Sequence, residues 1–242
     1  MNTSSNSYTF LFSIAMVVVV GALLSFVAVS TKTRINKNVR LEKMQNILST
    51  VGINVDRDVA EAEYNKVIKE ELSLKNDGSI DQGVNAFEID LAKEVKKDEA
   101  DQIYPLYIAE NNGQKYYIIP LRGAGLWDAI WGYISLAEDL NTVKGAVFDH
   151  KGETPGLGGE ITTTWFQEQF KDEKIFNANA QLVGVASVKG NNDPSGSKKD
   201  DNQVDAISGA TITSDGVTNM IQERLSHYKA YIDKQKSSLA QK

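Results

Sequence analysis

The chain contains no cysteine and only two histidines among its 242 residues. Without thiols there is no disulfide framework, no cysteine zinc site, no thiol nucleophile and no cysteine-ligated iron–sulfur cluster. His150 and His227 alone cannot supply a three-histidine metal site. Basic charge is in the minority: the formal net charge is −6 and the pI is near 5.1. That balance excludes the basic face of a nucleic-acid binder. Charge of either sign is missing from residues 1–31, and every Lys, Arg, Asp and Glu lies from Lys32 onward.

Within the charge-free stretch, Tyr8–Val29 is an almost continuous apolar run of 22 residues. As a helix it spans about 33 Å, enough to cross the hydrocarbon core. A buried soluble helix is rarely so long and so uniformly apolar. A cleaved signal peptide calls for a charged n-region and a shorter apolar core, and Asn2–Ser7 carries no charge. The pattern therefore predicts a short tail over 1–7 and an uncleaved single-span membrane helix over 8–29. Lys32, Arg34, Lys37 and Arg40 follow the span directly. Read as local charge, they keep that side in the cytoplasm.

Beyond the span, residues 30–100 read as a helical stalk and the start of a soluble domain, and residues 101–242 as its main body. Val39, Met44, Ile47, Leu48 and Val51 recur at helical spacing, and Gly52 is a plausible stop. Residues 56–75 carry a second helical pattern rich in Glu and Lys, and 76–83 read as a loop. From Tyr104 the texture changes to short strands. Residues 104–109 and 115–121 flank a turn sequence and predict a hairpin. Residues 129–137, 142–148 and 181–188 predict three more strands, with a polar loop over 190–201. Val217, Met220, Ile221, Leu225, Tyr228 and Ile232 mark one face of a C-terminal helix, with Thr213 or Ser214 as its cap. No internal repeat stands out. The expected fold class is α+β: one N-terminal transmembrane helix, then one soluble domain with an antiparallel sheet and flanking helices.

Three segments stand out as chemistry. Asp205–Ser214 crowds small and hydroxylated residues before a helix, where backbone amides favour a phosphate and Gly209 and Ala210 permit close approach. A plain Ser/Thr-rich cap fits the same residues. Glu153–Glu160 holds three glycines and a proline. It lacks the Lys-Ser/Thr ending of a P-loop and the spacing of a Rossmann fingerprint, and a structural turn is the simpler reading. Gly123–Trp127, with Trp131 close behind, suits either a wall for a planar ligand or an ordinary Trp core anchor.

Taken together, the GLW, ETPGLGGE and SGAT segments and the N-terminal span resemble the C subunit of the bacterial sodium-translocating NADH:quinone reductase over essentially the whole chain. The G subunit of the Rnf electron-transport complex shares the flavin motif and is the alternative. A flavin-free, membrane-anchored assembly module is a third reading, disfavoured by the intact Asp-x-x-Ser-Gly-Ala-Thr pattern of Asp205–Thr211. The resemblance implies one covalent FMN, joined by a phosphoester to Thr211, with Thr213 a nearby alternative outside the motif. It gives Ser208, Gly209 and Ala210 to the turn that presents Thr211, and Asp205 either to the modification step or to positioning that loop. Thr154, Gly156, Leu157 and Gly158 belong to a loop meeting the flavin ring, Leu126 and Trp127 to a wall, and Lys189 to a further contact. It assigns no catalytic acid or base and no metal ligand to this chain, which acts as an electron relay within an NADH:ubiquinone reductase rather than as an enzyme alone. It also implies a membrane complex of six subunits that exports sodium, a separate flavin transferase for maturation, and a bacterial inner-membrane location. Its FMN domain would face the periplasm, opposite to the local charge reading.

Overall fold

The computed structural model describes residues 5–191, 193 and 196–239. They fall into two compact units, Met1–Lys43 and Met44–Lys242. The first is helical from Asn6 and forms most of α1 (Asn6–Ser49). An 18-residue window of α1 has a mean hydropathy of 2.7 with none of it buried, so the helix is long and apolar enough to cross a membrane. At the end of the apolar run the Ser30 and Thr31 hydroxyls donate back to the Val27 carbonyl at 3.0 and 2.7 Å. Polar side chains are thereby satisfied within the helix itself.

In the second unit, Met44, Ile47, Leu48 and Val51 are buried, as their spacing predicts, whereas Val39 in the first unit is exposed. Gly52 adopts φ +79°, and the Ile53 amide donates to the Leu48 carbonyl. The glycine thus ends α1 by supplying the left-handed turn that other residues resist. α2 (Arg57–Val67) follows and runs directly into β1 (Ile68–Leu74). The helix expected over 56–75 is therefore half strand. From Ile68 onward the backbone pairs with β2 (Tyr104–Asn111), Leu74 opposite Tyr104. The Lys and Glu that look helical in sequence belong to a charged edge strand, a common protection against edge-to-edge association.

A single turn, α3 (Leu91–Glu94), precedes β2. β3 (Gln114–Ala124), β4 (Ala129–Leu136) and β5 (Val143–His150) complete a five-stranded antiparallel sheet in the order β1-β2-β3-β4-β5. β2 and β3 are joined by Asn112-Gly113, both with positive φ, the pairing that a two-residue hairpin turn demands. α4 (Thr164–Glu168) follows. β6 (Ala186–Val188) and β7 (Gln203–Asp205) form a small parallel pair. The strand expected over 181–188 is thus reduced to its last three residues. Gly184, at φ +69° against Ile221 and Gln222, breaks the extended run.

α5 (Thr211–Leu239) covers one face of the sheet. Its Val217, Met220, Ile221, Leu225, Tyr228 and Ile232 join Leu106, Ile119, Leu121, Ile130 and Ile134 in the main core. The buried Tyr228 hydroxyl donates to the Pro105 carbonyl at 2.7 Å. Because strand side chains alternate in direction, Tyr107 points to the other face and meets Phe87, which meets Tyr64. β2 is therefore buried on both faces from Tyr104 to Ala109. The architecture is α+β with an antiparallel sheet, as the sequence predicts; the parallel β6–β7 pair is an addition to it.

Candidate functional site

α5 starts at Thr211, earlier than either expected cap. Thr213 and Ser214 lie inside its first turn, and Ser214 Oγ accepts from the Ile207 amide at 3.2 Å. That bond ties the preceding loop to the helix instead of capping the helix's own amides. The first backbone bond into the helix runs from the Ser214 amide to the Ala210 carbonyl. The amides of Thr211, Ile212 and Thr213 lie ahead of it, where helix donors have no intrahelical acceptor. Gly209 adopts φ +78°, and a Cβ there would stand 3.0 Å from Leu157 Cδ2. Ser208, Gly209 and Thr211 are exposed, and Ala210 is buried.

The segment 153–160 is folded on itself. The Thr154 carbonyl accepts from the Leu157 and Gly159 amides, and the Gly156 amide donates to Glu160 Oε1 at 2.9 Å. Thr154, Gly156 and Leu157 are exposed, while Gly158 is buried. Gly158 has no room for a side chain: a Cβ would lie 2.4 Å from both Glu153 Oε2 and Thr213 Oγ1.

The turn between β3 and β4 closes by a bond from the Gly125 amide to the Asp128 carbonyl. It presents Leu126 and Trp127 outward, 49% and 68% exposed. Of the two readings of this segment, exposure favours a wall over a core anchor.

One carboxylate joins all three segments. Glu153 is 4% exposed. Its Oε1 accepts from the Trp127 amide at 2.9 Å and its Oε2 accepts from the Thr213 hydroxyl at 2.6 Å. The Glu153 amide donates to His150 Nδ1 at 3.1 Å. Burial pushes the Glu153 carboxyl up, but the bonds from Thr213 and from the Trp127 and Asp128 amides outweigh it and hold the group below its ordinary value. Glu153 is therefore an anion at neutral pH, buried and fully engaged.

Asp205 and Lys189 lie together where the β6–β7 pair ends. Asp205 ends β7, its amide donating to Gln169 Oε1 at 2.9 Å. It lines a cleft of about 550 Å³ with Trp165, Gln169 and Lys199. Lys189 is exposed and follows Val188, the register partner of Asp205. Eleven of the twelve expected site residues lie in the three segments that Glu153 joins, Asp205 where one of them leaves β7, and Lys189 follows β6. Glu153, Thr213 and Gly125 are missing from the expected set. The one signal for Glu153 was its place at the head of the glycine-rich segment. Its partners are 26 and 60 residues away, so no local pattern could reveal them.

The FMN-binding domain family matches residues 125–226, a span that opens at this turn and closes within α5. The C subunit of the Na(+)-translocating NADH-quinone reductase of Vibrio anguillarum is 30% identical over 231 residues, covering 89% of each chain. That of Pasteurella multocida is 32% identical over 200 residues, covering 74% of each. The chain belongs to the family of C subunits of Na(+)-translocating NADH-quinone reductases. The crystal structure of the C subunit from Parabacteroides distasonis matches with a TM-score of 0.74 at 40% identity, over 83% of this chain and 96% of that one. Family membership favours this reading over the Rnf alternative, and the FMN-binding match weighs against a flavin-free module.

Proposed function

We propose that this chain carries one FMN in phosphoester linkage to Thr211 and relays electrons between cofactors of a Na+-translocating NADH:quinone reductase. The observation that carries the reading is the contrast between the two nearby threonines. Thr211 is exposed at the first residue of α5, whereas Thr213 is 1% exposed with its hydroxyl committed to Glu153. Only the first is open to a modifying enzyme.

The surroundings fit the group. Helix-start amides and the helix dipole favour a phosphate, and Gly209 leaves the approach free of a side chain. Leu126, Trp127 and Leu157, with Ile212 at 58% exposure, offer apolar surface to a planar ring. Ser208, Gly209 and Ala210 shape the loop that presents Thr211, and Thr154, Gly156 and Gly158 hold Leu157 in place. Asp205 is assigned to the modification step, from the adjoining cleft, and Lys189 to the rim. Bound FMN supplies the redox chemistry; the protein binds it, orients it and leaves one edge open.

Attachment is assigned to a separate flavin transferase using FAD. The Thr211 oxygen bonds to the flavin-side phosphorus, the pyrophosphate linkage breaks, AMP leaves, and the hydroxyl proton is released. The partners are the five other members of a membrane complex of six subunits in the bacterial inner membrane, with this domain on the periplasmic side. The test is flavin fluorescence on a denaturing gel after coexpression with a flavin transferase. Fluorescence that stays with the wild-type chain and disappears in Thr211→Ala supports the reading. A wild-type chain that loses all its flavin on denaturation overturns it.

A further inference from the structure

We infer that Glu153 is the positioning residue of this site: its carboxylate sets where the Leu126–Trp127 wall stands relative to the Thr211 hydroxyl. The inference rests on the flavin reading of Thr211 and adds a residue to it.

The geometry is a three-way junction. One carboxylate oxygen faces the Trp127 amide, a donor fixed in the backbone, and the other faces the Thr213 hydroxyl, two residues into α5 from Thr211. Glu153 itself heads the loop that carries Leu157. Small residues clear the junction on both sides. A Cβ at Gly125 would lie 2.5 Å from Oε1, and one at Gly158 would lie 2.4 Å from Oε2. Neither glycine could carry a side chain without displacing the carboxylate. A buried anion is costly unless its lone pairs meet donors, and here each oxygen meets one.

Charge and reach can be separated. Gln at this position can accept from the Trp127 amide through its carbonyl and offer its NH2 to the Thr213 oxygen, since a hydroxyl both accepts and donates. It keeps the junction and loses the charge. Asp keeps the charge but is one methylene too short to span both donors.

The experiment uses the full-length chain in detergent, with Glu153→Gln and Glu153→Asp. Two readouts are taken: the initial rate of FMN incorporation by a flavin transferase supplied with FAD, and amide hydrogen exchange at Trp127 in the unmodified chain. Positioning predicts that Glu153→Gln stays within about twofold of wild type in both. It predicts that Glu153→Asp slows incorporation and speeds Trp127 exchange by about tenfold, with exchange at Ile119 and Ile134 unchanged. A charge role gives the reverse order, with Glu153→Gln impaired and Glu153→Asp near normal, and overturns the inference. Two normal variants, or two equally impaired ones, overturn it as well. The exchange readout needs no flavin, so it decides the role of Glu153 even where the wild-type chain takes no FMN and the reading of Thr211 fails.

Discussion

Thr213 and Glu153, 60 residues apart in sequence, are joined by a 2.6 Å hydrogen bond buried beneath the start of α5. The bond occupies the hydroxyl that lies next in line after Thr211 and brings the glycine-rich segment against the helix. Thr213→Val removes the donor and leaves Glu153 Oε2 unpaired in a buried place, at a cost of about 1–3 kcal/mol. Thr213→Ser keeps the hydroxyl and stays close to wild type. Chemical denaturation of the three chains checks this; a valine variant as stable as wild type would show that the bond contributes nothing.

Gly209 tests the loop that presents Thr211. Gly209→Ala places a side chain at φ +78° and brings it to 3.0 Å from Leu157. The backbone conformation alone costs about 1–2 kcal/mol. Gly113→Ala meets the same backbone demand at φ +75°, with nothing within 4 Å of its Cβ. Both variants are expected to lose similar stability, but only Gly209→Ala should lower FMN incorporation. Equal incorporation in the two would separate Gly209 from the site.

Glu173 makes stability depend on pH. It is 1% exposed, with Lys199 Nζ 3.3 Å from Oε1 and, among the described residues, no hydrogen-bond partner at Oε2. Burial raises its carboxyl from 4.5 to about 7, against the pull of Lys199. The folded chain therefore holds a proton that the unfolded chain has released between these two values. Binding more protons when folded means stability falls as pH rises through that window. Glu173→Gln mimics the protonated form, so its stability relative to wild type should grow from about pH 5 to pH 8. Urea titrations at both pH values check the sign; a difference independent of pH would contradict it.

Orientation of the anchor has a direct test. Alkaline phosphatase fused to the C-terminus of the full chain should be active in cells if the flavin domain is periplasmic. An inactive fusion would return the assignment to the cytoplasmic side indicated by Lys32, Arg34, Lys37 and Arg40.

Much of this arrangement was legible in the sequence where physics is local. The 22-residue apolar run, the Asn-Gly hairpin turn and the 3.6-residue period of α5 each announce themselves within a few residues. β1 was not legible, because its Glu and Lys suit an exposed helix until β2 is there to pair with it. The strand over 181–188 failed for a different reason: a single backbone requirement at Gly184 cuts an otherwise apolar run. The three segments at the site were each visible and each ambiguous. Exposure removed the core-anchor reading of Trp127, and a buried carboxylate with distant partners shows which segments stand together. Neither burial nor long-range pairing is written in local composition.

The central claim, that Thr211 is the flavin-bearing residue, is tested most directly by peptide mass mapping of the chain purified after coexpression with a flavin transferase. The expected result is a gain of one FMN less one water on the peptide containing Thr211, fragmentation placing it on that residue, and no gain in Thr211→Val. An unmodified wild-type peptide, or an adduct that persists in Thr211→Val, would contradict the account.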